Sequence, residues 1–199
     1  MAVEYRVRTG DDGAFENGEE FPVTGEMLSS EGNPLAPAFT LERFDPKRSV
    51  VEETLDTLPD RYVMRLVNAL IDPDSIVCRR EAEDCDSALE TMAKQLEITV
   101  EELGIPVFMV SNEPAEAHQY RWKEEVGLKH VTLLSSANSD EFGKDVGAFM
   151  ATLDGRLQRV DLGIVNRRIV HSEYEADQGG PIPDFKAAVN AVRNSPALS

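Results

Sequence analysis

The apolar positions of this chain alternate between a strand-like and a helix-like period. The longest mostly apolar run, residues 62–71, has apolar side chains on both faces and is broken chiefly by Arg65 and Asn68. Such a run is typical of a central strand that helices cover on two sides. Shorter apolar runs predict further strands at residues 38–41, 107–111 and 131–134. The pattern therefore predicts a sheet with a buried centre.

A helical stripe of apolar residues follows the central strand. Its members recur at alternating spacings of four and three residues, which is the period of one face of an amphipathic helix. The stripe consists of Cys78, Ala82, Cys85, Leu89, Met92 and Leu96. Both cysteines of the chain lie on it, so we expect both to be on the buried side of one helix.

The remaining pattern predicts helices, two hairpins and a single domain. The predicted helices cover residues 49–58, 115–126, 141–146 and 183–192, and the predicted hairpins pair residues 3–7 with 20–24 and 160–165 with 169–174. This order predicts an α/β sandwich with a mixed central sheet flanked by helices. We interpret residues 1–36 as an N-terminal β-hairpin extension and residues 37–199 as the domain.

The charge of the chain bears on its partners and location. The formal net charge is -17, and the 37 acidic residues are spread over the whole sequence. Nucleic acids and anionic membrane surfaces are therefore poor candidates for partners. The N-terminus has no apolar core of a signal peptide, and no run approaches the roughly 20 apolar residues of a membrane span. We expect a cytoplasmic protein.

Cys78 is the leading candidate for chemistry. The stripe predicts that it lies at a helix N-terminus, three residues after Ser75. Free backbone amides of a first helical turn and a nearby hydroxyl favour the thiolate form of a cysteine. The alternative is a small apolar residue that begins the stripe, with Ser75 as an ordinary N-cap.

Metal and nucleotide sites are not indicated. The three histidines, His118, His130 and His171, have no ligand spacing with one another or with the cysteines. The pair Gly179 and Gly180 lacks the strand-to-helix context of a phosphate-binding loop. We therefore expect no metal and no cofactor.

Several motifs together resemble a known family. They are Phe21-Pro22-Val23-Thr24, Ala38-Phe39-Thr40-Leu41, Asp74-Ser75-Ile76-Val77-Cys78, Gln119-Tyr120-Arg121-Trp122, Glu141-Phe142 and Arg159. In order and spacing, over about residues 20 to 195, the chain resembles the bacterial thiol peroxidase branch of the peroxiredoxins. The resemblance implies a thioredoxin-like fold. It also implies a homodimer, since this branch commonly forms one.

The resemblance implies roles for three residues. Cys78 corresponds to the nucleophile that attacks the peroxide, Ser75 to the hydroxyl that bonds the thiolate, and Arg159 to the distant arginine that stabilises the anionic sulfur. Arg159 also has the alternative of an ordinary charge at a strand end. Two positions depart from the family: Ile71 occupies the place of its proline, and Lys123 the place of its usual resolving cysteine.

Cys85 is then the remaining candidate for a resolving cysteine. It follows Cys78 by seven residues. At roughly 1.5 Å per helical residue, their Cα atoms would be about 10 Å apart, beyond the roughly 7 Å limit for a disulfide. The helix would have to unwind before the two sulfurs could join. The alternative is that Cys85 only fills the core.

We therefore expect a thiol-dependent peroxidase that reduces hydrogen peroxide or small alkyl hydroperoxides through a Cys78 sulfenic acid. Thioredoxin or a small thiol would regenerate the enzyme. The alternative is a non-catalytic redoxin-fold protein that binds a partner or senses redox state. A disulfide oxidoreductase is disfavoured because the Cys-x-x-Cys motif is absent.

Overall fold

The computed structural model describes most of the chain. The described residues are 6–9, 20–45, 47, 49–67, 76–118, 122–123, 126–150, 156–175 and 182–196. Within them, residues 6–9, 20–22, 76–79 and 117–118 are described by their backbone alone.

A seven-stranded mixed sheet forms the centre of the molecule, in the order β11-β10-β5-β6-β7-β3-β4. β5, β6 and β7 are parallel, while β10 and β3 run antiparallel to their neighbours. The strands are β1 Arg6–Thr9, β2 Glu20–Val23, β3 Thr40–Asp45, β4 Ser49–Thr54, β5 Arg61–Leu66, β6 Val107–Ser111, β7 Val131–Ser135, β8 Phe149–Met150, β9 Arg156–Leu157, β10 Val160–Val165 and β11 Arg168–Tyr174. The predicted mixed sheet is confirmed.

Helices cover both faces of this sheet. They are α1 Ile76–Gln95, α2 Val100–Leu103, α3 Ala115–His118, α4 Asp140–Asp145 and α5 Phe185–Asn194. Odd-numbered residues of the central strands, such as Val63 and Val107, pack in one hydrophobic cluster with α1 and α5. Even-numbered ones, such as Met64 and Phe108, pack in a second cluster with Phe142 of α4. Burial of both strand faces explains why β5 has no polar alternation.

The predicted apolar stripe forms the buried side of α1. Ala82, Cys85, Leu89 and Met92 are all buried, and they pack in the first cluster. α5 packs closely on the sheet beside them. The closeness shows at Gly163, where an added Cβ atom would lie only 2.9 Å from Val192 Cγ2. Glycine at this point of β10 therefore lets α5 pack against the sheet.

The structure corrects one predicted element. Residues 49–58 were expected to supply a short helix, but Ser49–Thr54 is the edge strand β4, antiparallel to β3. The β-branched residues Val50, Val51 and Thr54 fit a strand, and cross-strand pairing decides between the two forms. The strand predicted at residues 131–134 is present as β7, which lies between β6 and β3 inside the sheet.

The N-terminal segment contacts the body of the protein. β1 and β2 pair as an antiparallel hairpin, and Thr24 forms a bridge with Phe149. Further along, the Leu28 amide donates to the Tyr174 hydroxyl at 2.9 Å, and Ala36 packs in the second cluster. The boundary between residues 36 and 37 stays a prediction.

One further observation concerns membranes. Among the described helices, none has both the length and the apolar character that a membrane-spanning segment requires.

Candidate functional site

The candidate site lies where α1 begins and where β10 starts beside the end of β5. Val160, the first residue of β10, pairs with Leu66, the last residue of β5. Arg159 directly precedes β10. It therefore lies beside the C-terminal end of β5, where the chain leaves the sheet for α1. This placement agrees with the predicted position of Arg159 at a strand start.

Arg159 is buried and shared between two carboxylates. Its Nε donates to both oxygens of Glu81, at 3.1 and 3.0 Å. Its Nη1 donates to both oxygens of Glu175, at 3.4 and 3.5 Å. The third nitrogen, Nη2, has no hydrogen-bond partner among the described residues. The guanidinium is thus held at two of its nitrogens by two acidic groups.

Glu81 links this arginine to the start of α1. It is buried, and it is the sixth residue of the helix, three residues after Cys78. Helical residues three apart lie on the same side, with Cβ atoms about 5–6 Å apart. The structure thereby brings Arg159 to the part of α1 that contains Cys78. Cys78 is the third helical residue, where backbone amides still lack intrahelical acceptors.

Two predicted site residues are less fully described. Ser75 lies outside the described residues, directly before the first residue of α1, and Ile71 also lies outside them. The side chain of Cys78 lies outside them as well. The roles of Cys78, Ser75 and Arg159 therefore stay predictions.

A second buried arginine lies deeper in the same helix–sheet contact. Arg65 of β5 donates to both carboxylate oxygens of Asp161 on β10, at 2.8 and 3.0 Å. It also donates to the Pro183 carbonyl at 2.7 Å and to the Cys85 sulfur at 3.4 Å, and it lies 5.3 Å from the ring centroid of Phe185. All three nitrogens of this guanidinium have partners.

Cys85 faces this second arginine. Its exposed fraction is 0%, and its sulfur accepts the hydrogen bond from Arg65. Burial raises the pKa of the thiol to about 12, although the nearby guanidinium opposes that effect. Cys85 is therefore a protonated thiol near neutral pH. A resolving role for it stays a prediction and requires α1 to open.

The remaining pKa shifts follow from burial and ion pairing. Burial disfavours the charge on Arg159, but Glu81 and Glu175 outweigh it and raise its pKa above the ordinary value. Burial likewise opposes the charge on Arg65, while Asp161 raises its pKa overall. At Asp161 burial raises the pKa to about 7 against the opposing influence of Arg65. Both arginines carry their charge throughout the physiological range.

Lys123 is the residue that the sequence resemblance aligns with the usual resolving cysteine of the family. It is half-buried, and its ammonium donates to the Leu128 carbonyl at 3.1 Å. Burial lowers its pKa, with Asp86 opposing that shift. The side chain binds the loop after it and supplies no sulfur, so it cannot resolve a sulfenic acid.

Metal ligands are not grouped in the part of the chain that the structure describes. No set of three or more His, Cys, Asp or Glu side chains there has the arrangement of a metal site. His130 contacts Glu90 at 3.3 Å and His171 contacts Glu173 at 3.7 Å, each as a single pair.

Sequence reasoning missed four members of the two buried networks. Glu81, Glu175 and Asp161 gave no signal of their own among 37 acidic residues. A signal did exist for Arg65, because it interrupts an otherwise apolar central strand. A charge in such a run predicts a buried partner.

The sequence matches no protein-family model and no curated protein. Solved structures do match. A peroxiredoxin-like protein from Aquifex aeolicus has a TM-score of 0.68 and 20% identity, covering 88% of this chain and 92% of its own. The thiol peroxidase from Chromobacterium violaceum has a TM-score of 0.61 and 16% identity, covering 86% and 89%. Mycobacterium tuberculosis AhpC has a TM-score of 0.62 and 17% identity, covering 84% and 92%.

These similarities extend over most of each chain. They confirm the thioredoxin-like fold of the peroxiredoxins, which the sequence resemblance predicted. At such low identities they do not transfer any residue's role.

Proposed function

The chain has the peroxiredoxin fold, and from that premise we propose that it is a thiol-dependent peroxidase with Cys78 as its nucleophile. The substrate is hydrogen peroxide or a small alkyl hydroperoxide. The observation that carries this proposal is the bond from Arg159 to Glu81, one helical turn after Cys78. It brings a buried positive charge to the start of a 20-residue helix that contains a cysteine in its first turn.

Three features favour a thiolate at Cys78. The first turn of α1 offers free backbone amides, and the N-terminal end of the helix dipole is positive. Arg159 adds a guanidinium that stays protonated. Such surroundings lower the pKa of a thiol from its free value of about 8.5. Ser75, directly before the helix, would add a hydroxyl donor to the sulfur.

The reaction proceeds in two stages. The Cys78 thiolate attacks one peroxide oxygen, so a sulfur–oxygen bond forms and the oxygen–oxygen bond breaks. Sulfur is oxidised by two electrons to the sulfenic acid, and the departing hydroxide or alkoxide takes up a proton. Arg159 and the helix amides stabilise the negative charge that develops on this leaving oxygen.

Reduction of the sulfenic acid requires two thiol groups. The buried Cys85 thiol and the sulfur-free Lys123 position favour an external thiol as the first of them. This thiol condenses with the sulfenic acid and releases water, and a second thiol then cleaves the mixed disulfide. A small thiol or thioredoxin is the reductant. The homodimer implied by the resemblance belongs to this proposal as well.

The proposal is tested by mixing the reduced protein with one equivalent of hydrogen peroxide. Stopped-flow fluorescence follows the rate, and intact mass with a sulfenic-acid trap follows the product. We expect a trapped adduct on Cys78, at a rate about 10²-fold or more above that of free cysteine. The Cys78→Ser variant should lose the fast phase, while the Cys85→Ser variant should retain it.

Two outcomes would change the proposal. Oxidation no faster than that of free cysteine would leave a non-catalytic redoxin-fold protein as the better description. A trap signal that is present only in the Cys85→Ser variant would identify Cys85 as the resolving residue.

A further inference from the structure

Glu175 is a buried carboxylate that neither the sequence motifs nor the proposed reaction uses. It directly follows β11, and only 1% of its surface is exposed. Burial of a carboxylate is costly unless it is paired, and one partner of Glu175 is Arg159, which Glu81 already binds. One carboxylate would suffice to neutralise this arginine, so the second requires its own explanation.

The main chain anchors Glu175 beside Arg159 independently of the ion pair. The Glu175 amide donates to the Arg159 carbonyl at 3.0 Å. The Gln158 side chain donates to the Glu175 carbonyl at 2.6 Å. The carboxylate therefore projects from a backbone that is already bonded to the main chain of Arg159 and the side chain of Gln158, directly before β10. A change at the carboxylate should leave this backbone arrangement in place.

The two carboxylates use different nitrogens of the guanidinium. Glu81 binds Nε and Glu175 binds Nη1. Nη2 has no partner among the described residues, and it is the nitrogen that we assign to the sulfur or the peroxide. Holding a planar guanidinium at two nitrogens fixes its rotation, since its donors lie in a rigid fork.

We propose that Glu175 is a positioning residue that acts on Cys78 through Arg159, by holding Nη1 and by offsetting part of the guanidinium charge. The proposal rests on the assignment of Cys78 as the reactive thiol. It assigns Glu175 two separable effects. Its reach determines how Arg159 is oriented, and its charge determines how strongly Arg159 favours the thiolate.

Other charged groups near Arg159 set the background for these effects. Glu81 faces it from α1, and the ion pair of Arg65 with Asp161 lies beyond Glu81 on β5 and β10. The Cys85 thiol of α1 belongs to this second network. The negative charge of Glu81 acts on this thiol and raises its pKa. None of these groups changes in the variants below, so a difference in behaviour comes from position 175.

Two variants separate reach from charge. Glu175→Gln keeps the reach and removes the charge, whereas Glu175→Asp keeps the charge and shortens the reach. The matched control is Glu173→Gln, which makes the same charge change two residues earlier, at a side chain that contacts His171 and the Asp184 amide. In each protein, iodoacetamide alkylation against pH reports the Cys78 thiolate, and peptide mass confirms the labelled cysteine.

We expect Glu175→Gln to shift the alkylation midpoint to lower pH. At a pH below the wild-type midpoint, its alkylation should be roughly three- to ten-fold faster. Glu175→Asp should keep the wild-type midpoint. Its peroxide rate constant at a pH above the midpoint should fall about ten-fold, because Arg159 is no longer held in place.

The proposal is overturned if Glu175→Gln has the same midpoint as wild type and Glu173→Gln, or if Glu175→Asp reacts with peroxide at the wild-type rate. If Glu175→Gln does not fold, the Glu175→Asp rate alone decides. The alkylation midpoint does not depend on peroxide chemistry. A wild-type protein that reacts slowly with peroxide would therefore refute the proposed function and still leave the charge effect of Glu175 measurable.

Discussion

Two arginines, Arg65 and Arg159, are buried in the same helix–sheet contact, yet their surroundings differ. Arg65 donates from all three nitrogens, to Asp161, to the Cys85 sulfur and to a carbonyl. Within the described part of the chain, Arg159 is held by two carboxylates, at Nε and Nη1. Arg65 lies opposite the middle of α1, whereas Arg159 lies beside its beginning.

The difference shows that burial and charge alone do not identify a functional arginine. Both residues are buried, and both remain protonated. What distinguishes them is whether the guanidinium still has a nitrogen to offer and which part of the helix it faces. By this criterion we expect Arg65 to stabilise the fold and Arg159 to serve the proposed reaction.

The largest expected effect comes from Arg65→Met. This change leaves the Asp161 carboxylate buried without its partner, so we expect the free energy of unfolding to fall by about 3–5 kcal/mol. Chemical denaturation with urea measures it. The peroxide rate constant per folded molecule should change by less than about three-fold, because Arg65 does not face the start of α1.

The double variant Arg65→Met/Asp161→Leu is its control. Removing both charges of a buried pair is often close to neutral, so the double variant should recover most of the lost stability. If Arg65→Met folds well but no longer reacts with peroxide, the distinction between the two arginines is wrong.

Arg159→Lys is expected to have the next largest effect, on rate. Lysine keeps the positive charge but has one nitrogen, which cannot bind Glu81 and Glu175 and also serve the reaction. Loss of one preorganised donor typically lowers a rate by about 10²-fold or more. Stopped-flow mixing with hydrogen peroxide measures the second-order rate constant.

The control for this change is Arg167→Lys. Arg167 is an exposed residue in the turn between β10 and β11, and it pairs with Asp56. It should react at the wild-type rate. Equal rates in Arg159→Lys and wild type would contradict a role for Arg159 in the reaction.

The smallest effect concerns Cys85 and appears only at high pH. Its pKa is about 12 in the folded protein and 9.0 for an ordinary cysteine. Between these values the unfolded chain has released the proton while the folded chain keeps it, so stability falls as pH rises. The slope from this one group approaches about 1.4 kcal/mol per pH unit.

Urea unfolding between pH 8 and pH 10 measures this slope. The Cys85→Ala variant should lose the contribution, and below pH 8 the two proteins should have the same dependence on pH. A Cys85→Ala variant with the wild-type slope would mean that Cys85 loses its proton at the same pH in the folded and the unfolded chain.

Much of the fold was predictable because its signals are local. The stripe from Cys78 to Leu96 predicted α1, and the apolar run after residue 61 predicted the central strand. Residues 49–58 failed as a predicted helix because their form depends on pairing with β3. Local preference for a strand is weak where cross-strand contacts decide.

The candidate site was predictable only in part. Cys78, Ser75 and Arg159 came from a pattern of residues spread over the chain, and their spacing carried the resemblance. Glu81 and Glu175 did not, because their significance depends on a single contact with Arg159. Nothing in the local sequence around either glutamate indicates that contact.

By itself, the sequence determined the class of fold, the helix that contains both cysteines and the absence of a Cys-x-x-Cys motif. Hydrophobic periodicity carries the information on the fold class and the helix, since it depends on neighbours a few residues apart. The missing motif is read directly from the positions of the two cysteines. Only the tertiary structure decided that Cys85 is enclosed and that, among the described residues, Arg159 has a nitrogen without a partner. Those properties depend on groups that fold together from positions about 80 to 120 residues apart, such as Arg159 with Glu81 and Arg65 with Pro183.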